Sequence, residues 1–323
     1  MDGDSGIASE EYSTESDSLL PETKNYRYEN GRRYHADENI KYLLPNDTTE
    51  QNRLDSLHYT FKEILNDRLY LAPILDDVQC VFDYGTGTGL WAIEFADRNG
   101  QAIVYGSDIS PIQPNIVPPN CRFYCDDIEL EWAFEKDYFD FIHGRSMVGS
   151  ISDWDKHFTQ TFSHLKHGGW AENQEFDIQI YAEGDPNLMK TPYIREWQAL
   201  CYEASEKIGK GFNISSELKQ KMANAGFENI IEILFKSPIG PWAEGISEKL
   251  RGLDELDHVI RLGESLTPAV FTILERNPED AKRLKEKIMK EIQDSENRLY
   301  MTYRILYGQK PAEPRMEEIE AAE

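Results

Sequence analysis

The 323 residues carry 59 acidic side chains against 34 lysines and arginines, a formal net charge of −25 and a sequence pI near 4.7. Wrapping a nucleic-acid backbone needs a positive surface that releases counterions, so this balance argues against such a partner. Hydrophobic residues make up 40%, ample for a real core, and no apolar run approaches the length that spans a bilayer.

Part of the charge sits at the ends. Residues 1–24 hold seven acids against Lys24, and residues 311–323 hold five against Arg315, so the stretch between them carries −15. Poor in large apolar groups, residues 1–24 and 312–323 are expected to be disordered acidic tails. Four cysteines in a chain of this length make no disulfide framework, and the Met1 end lacks a basic-then-apolar signal, so a cytoplasmic setting is expected. Cys121 and Cys125 have no His or Cys companion at finger spacing, so no metal is expected.

Residues 26–35, Tyr-Arg-Tyr-Glu-Asn-Gly-Arg-Arg-Tyr-His, are too aromatic for an idle linker. Asp47 with Glu50 three residues later reads as a capping box, and Leu54, Leu57, Phe61 and Leu65 at helical spacing predict a helix over about 48–66. His58 within it reads as a structural histidine beside the core.

An apolar run ending at Asp83 leads into Gly85, Gly87 and Gly89. A helical segment follows, with Ala92, Ile93 and Ala96 on one face, and then a second apolar run ends at Asp108. This is strand, tight turn, helix, strand, one half of a nucleotide-binding unit. Prolines at 111, 114, 118 and 119 forbid helix in the next connection. A third strand over 121–125 ends in Asp126-Asp127-Ile128, and a fourth over 139–143 ends at Gly144-Arg145.

A helix is predicted over about 154–165, stopped by His167-Gly168-Gly169, with a fifth strand from 170. Further helices fall at about 193–209 and 215–225, a sixth strand at 229–235, helices over much of 246–297, and a last strand at 298–307. Strands alternating with helices predict an α/β fold with a doubly wound, Rossmann-like parallel sheet.

The glycine loop alone does not choose between a dinucleotide and another nucleoside ligand. The dinucleotide pattern wants Gly or Ala where this chain has Leu90. Asp83 is placed for a cationic amino group, Asp108 for a ribose diol, and Asp126 or Asp127 for an adenine amino group. That set matches S-adenosylmethionine, which carries no phosphate. The expected donor-binding residues are Asp83, Gly85, Thr86, Gly87, Gly89, Asp108, Ile109, Asp126, Asp127, Ile128 and His143. Methyl transfer from a sulfonium is an in-line displacement in which positioning does most of the work. His143, at the carboxyl end of the fourth strand, is the candidate catalytic base, and Glu175 a weaker one.

The sequence resembles the fungal LaeA-like branch of class I S-adenosylmethionine-dependent methyltransferases. The resemblance rests on Tyr42-Leu-Leu-Pro-Asn-Asp47 with Glu50, Arg53, Leu54 and His58, and on Asp83-Tyr-Gly-Thr-Gly-Thr-Gly-Leu-Trp91. It continues through Asp108-Ile-Ser-Pro111, Phe139-Asp-Phe-Ile-His-Gly-Arg145, Leu165-Lys-His-Gly-Gly-Trp170, Gln174-Glu-Phe176, Pro238-Ile-Gly-Pro-Trp242 and Tyr307-Gly-Gln-Lys-Pro311. It implies a seven-stranded sheet with one antiparallel strand over residues 25–311, with an N-terminal helical cap and an insertion at about 182–214. It also implies a methyltransferase acting on O, N or S of a small molecule of secondary metabolism. The alternative is a nuclear regulator of secondary metabolism and development acting through partner complexes, and the other partner expected is a second copy of the chain, in a homodimer. The aromatic cap residues Tyr26, Tyr28, Tyr34, Tyr193 and Trp197 suit an apolar or aromatic acceptor.

Overall fold

A computed structural model describes residues 26–312 apart from 30, 36 and 38. The predicted tail at 1–24, and all but the first residue of that at 312–323, lie outside the described residues.

Five strands run parallel in the order β5 (Cys121–Cys125), β4 (Ile103–Asp108), β3 (Cys80–Tyr84), β6 (Phe139–Arg145) and β7 (Leu165–Phe176). β10 (Leu299–Gln309) then inserts antiparallel beside β7, and β9 (Glu228–Pro238) pairs with its other side. The two residues of β8 (Tyr181–Ala182) meet β10 just past the end of β7 and prolong that strand. The sheet is thus seven-stranded with a single reversed strand, β10.

Alternate residues of a strand face opposite ways, so a sheet covered on both faces needs apolar side chains at consecutive positions. Val81, Val104 and Phe141 pack with Trp91, Phe95 and Ala96 of α2 (Leu90–Arg98) on one face. Their neighbours Phe82, Tyr105 and Ile142 join Trp154 and Phe158 of α3 (Trp154–His164) in the core on the other. α2 starts at Gly89, whose φ of +83° lies in the left-handed region; a Cβ there would meet the Phe123 ring at 2.4 Å.

The sequence places the fifth strand's start at 170, but β7 begins at Leu165, directly after α3. Leu165 pairs with Phe139 and Trp170 with Phe141, so residues 166–169 bulge out, which the positive φ of Gly168 permits.

The N-terminal region is not purely helical. It opens with a hairpin, β1 (Arg27–Glu29) and β2 (Arg32–Tyr34), before α1 (Thr48–Ile64). Asp47 caps α1 by accepting the Glu50 N–H at 3.1 Å, and the Arg32 guanidinium grips the same carboxylate through Nε and Nη2. Glu50 does not complete the capping box, because its carboxylate faces inward to Arg53 and Ser265. The remaining helices are α4 (Pro192–Ile208), α5 (Leu218–Asn224), α6 (Ile246–Ile273) and α7 (Pro278–Gln293). α6 packs on α1, α4, α7 and β9, so the covering layer draws on 246–293 as well as on 182–214. No helix among the described residues is long and apolar enough to cross a membrane.

Candidate active site

Ligands of open α/β sheets lie beyond the carboxyl ends of the strands. A cleft of about 1140 Å³, its open mouth included, lies there. Gly85 and Gly87 after β3, Asp108 and Ile109 at the tip of β4, Asp126, Asp127 and Ile128 after β5, and Arg145 ending β6 line one half. Met147 to Ser150, Phe176, Ile178, Phe212, Leu262 and Leu266 line the other. Residues 42–46 cross above, tied down where Asn46 Nδ2 donates to Ser110 Oγ at 3.1 Å.

Seven of the eleven expected donor-binding residues therefore share one wall. Asp108 Oδ2 accepts the Gly87 N–H at 2.8 Å and Oδ1 accepts the Ser110 N–H at 2.9 Å, which binds the glycine loop to the next strand tip. Burial raises the Asp108 carboxyl to about 6, against the pull of those two donors.

Asp83, Thr86, Gly89 and His143 do not line the cleft. Asp83 lies under the loop, accepting from Thr86 Oγ at 2.5 Å and pairing with His143 Nδ1 at 2.7 Å. His143 is 0% exposed and stacks flat on Trp91, with centroids 3.8 Å apart and planes 3° apart. Burial lowers its pKa despite Asp83. The expected catalytic base is thus sealed beneath the loop, where it braces Asp83. Glu175 is also buried; it accepts the Val148 N–H at 3.0 Å, and burial lifts its carboxyl to about 8, so at neutral pH it is protonated and has no basic oxygen to offer. Trp197 is buried with its N–H on Thr267, and Tyr26, Tyr28, Tyr34 and Tyr193 also lie off the cleft. Its apolar half is aliphatic with two phenylalanines.

Two arginines were missed as site residues by reading the sequence alone. Arg145 ends β6, two residues beyond His143, and Nη2 donates to His58 Nδ1 at 3.0 Å. His58 in turn holds Glu94 through Nε2 at 2.9 Å, and burial together with Arg145 lowers it to about 4, so it is neutral. Burial lowers Arg145 to about 10, still protonated at neutral pH, and among the described residues no carboxylate forms an ion pair with it. The strand-tip rule pointed to this position, since the last residue of a strand reaches the cleft before the third from last. Arg53, on α1, places Nε and Nη2 on Glu50 Oε1 at 2.9 and 2.5 Å.

These groups fit a sulfonium nucleoside carrying an amino acid. Asp108 would take its ribose hydroxyls, Asp126 or Asp127 its adenine amino group between Ile109 and Ile128, and Arg145 its carboxylate.

The model of a methyltransferase domain matches residues 56–232. Methyltransferase pytC of Aspergillus terreus is 36% identical over 91% of this chain and 91% of its own length. The secondary metabolism regulator laeA of Aspergillus flavus is 32% identical over 91% of this chain and 80% of its own. The protein-methionine methyltransferase laeA of Emericella nidulans is 32% identical over 90% and 78%. With that likeness added to the acidic strand tips and the glycine loop, the chain belongs to the S-adenosylmethionine-dependent methyltransferases, in the LaeA-like branch of fungal secondary metabolism.

Proposed function

We propose that the protein methylates a small apolar molecule held in the inner half of the cleft, with the methyl donor along the strand tips. The observation that carries this reading is the continuity of one cleft from Asp108 and Asp126 to Phe176, Phe212 and Leu262. An aliphatic stretch of cleft beside the donor wall suits a compact acceptor better than a flat protein surface does. When bound, the donor supplies a methyl carbon already activated by its sulfonium. The chain's part is placement. Asp126 or Asp127 and Arg145 fix the two ends of the donor and Asp108 its ribose, the Asp83–His143 pair keeps the loop in shape, and the roof over 42–46 excludes water.

The name of the Emericella relative supports a second reading, in which a methionine thioether is methylated. A thioether also reacts without losing a proton. Incubation with isotopically labelled donor and a metabolite extract of the host separates the two. Label in a small molecule upholds the first reading, and label confined to protein upholds the second.

A further inference from the structure

Arg53 is the feature that donor binding leaves over. It lines the cleft with Leu262 and Leu266 of α6 and with Phe176, and it is 2% exposed. Its charge is already balanced by Glu50, whose other oxygen accepts from Ser265 Oγ at 2.8 Å. Two of its three nitrogens are engaged there, yet Nη1 is buried without a hydrogen-bond partner. A buried donor left unpaired costs more than the same group satisfied. The donor's single carboxylate would go to Arg145, with which no carboxylate among the described residues forms an ion pair. Arg53 therefore brings to the cleft wall a guanidinium with one charged hydrogen bond still to give.

Among the described residues the acceptor half also holds no base. Of the cleft's acids among the described residues, Asp108, Asp126 and Asp127 all lie at the donor end. Lys210 is tied to Glu129 and the Ser150 carbonyl, and burial raises the Tyr42 hydroxyl out of reach of ionisation. An acceptor that must lose a proton inside this cleft finds nowhere to put it.

Together these observations identify the acceptor by its chemistry. We propose that it is an apolar acid that enters already ionised, with its negative charge shared between two oxygens, as in an enolised 1,3-dicarbonyl or a carboxylate. Arg53 Nη1 holds one oxygen and leaves the other to react. A lone pair on the free oxygen forms the O–CH3 bond as the S–CH3 bond breaks, its electron pair returning to sulfur. The products are a neutral methyl enol ether or ester and S-adenosylhomocysteine, and no proton moves. Arg53 is thus a binding residue for the acceptor, and the aliphatic walls of Ile178, Leu262 and Leu266 take the apolar body. This inference rests on the small-molecule reading above and sharpens it.

The test uses the full chain and two calorimetric titrations. S-adenosylhomocysteine is titrated first and reports the donor site alone. The complex is then titrated with 4-hydroxy-6-hexyl-2-pyrone, an acidic enol, and separately with octanoate, a carboxylate. The 4-methoxy form of the pyrone is the uncharged control. The expected result is binding of at least one acid, roughly 10- to 100-fold tighter than the control, the scale of one charge-assisted hydrogen bond. The pyrone or the octanoate then identifies which kind of acid is taken. In Arg53→Gln the acid should lose that advantage while the S-adenosylhomocysteine Kd stays within about twofold. If leaving Glu50 unpaired unfolds this variant, the double change Glu50→Gln with Arg53→Gln removes the pair together and is read the same way. The inference is overturned if neither acid binds the wild-type complex, or if the methoxy control binds as well as the acid. It is also overturned if the Arg53 variant loses the donor and keeps the acid. Failure of S-adenosylhomocysteine to bind at all would instead strike the methyltransferase reading itself.

Discussion

Changing Asp108 to Asn tests the donor wall where its chemistry is most explicit. The wild-type carboxylate uses one oxygen for the Gly87 N–H and the other for the Ser110 N–H, and its pKa is lifted to about 6. Asparagine keeps the shape but turns one acceptor into an NH2 group facing an amide that is itself a donor. The variant loses one loop hydrogen bond together with the negative charge awaiting the ribose hydroxyls. A hydrogen bond to a charged group contributes about 1.5–3 kcal/mol, so the Kd for S-adenosylhomocysteine should rise roughly 10- to 100-fold. Calorimetry between about pH 5 and pH 8 adds a second reading. The wild-type Kd should be level above about pH 7 and climb toward tenfold per unit below about pH 6, as Asp108 takes up a proton. The asparagine variant should be weak and flat across the range. A variant that binds within about twofold of wild type, or a wild-type Kd that does not change down to about pH 5, refutes the assignment.

Two further outcomes follow from buried groups. His143→Phe removes the partner of Asp83 without touching the cleft wall. Unfolding in denaturant should show a loss of about 1–3 kcal/mol, while kcat against pH keeps its wild-type shape; a lost basic limb would restore His143 as a base. Stability should also fall as pH rises from about 6.5 to about 8. Burial raises Glu172 to about 7, Glu175 to about 8 and Glu255 to about 7. A raised carboxyl stabilises fully below its unfolded pKa of about 4.3, and that contribution fades as pH climbs through the folded value. His157, lowered to about 3 by burial, and His58, lowered to about 4, act the other way, because they favour the fold less as pH drops below about 6.5. While it titrates, each raised glutamate costs about 1.4 kcal/mol per pH unit. Glu175→Gln should therefore reduce the slope between pH 6.5 and 8 measured by denaturant midpoints, and an unchanged slope would dismiss its raised pKa.

What could be read from the sequence was what is local in it. The glycine loop, the acids at the tips of β4 and β5 and the apolar periodicity of the helices each sit within a few residues; Gly85 and Gly87 share one wall with the strand-tip acids, and the apolar helix faces pack on the sheet. The misreadings lie where function depends on distant partners. Glu50 looked like half of a capping box because Asp47 precedes it by three residues, yet its oxygen meets Ser265, 215 positions away. His143 looked accessible because it nears a strand end, but stacking on Trp91 closes that face. The i, i+3 spacing of Glu50 and Arg53 on α1 was legible, but that this pair meets the cleft and Ser265, and that Arg145 meets His58, was not, since those surroundings are built by α6 and α1.

The placement of β10 bears on how the protein is made. The last strand lies inside the sheet, between β7 and β9, so the chain order and the sheet order disagree. During synthesis β9 ends at Pro238, and β10 is complete only at Gln309. At about 5–20 residues per second the gap lasts roughly 4–14 s, during which β7 and β9 both present open edges. Ile231 and Leu234 of β9, exposed even in the finished fold, add apolar surface to that edge. The nascent chain thus passes through a sticky interval that its own final strand brings to an end.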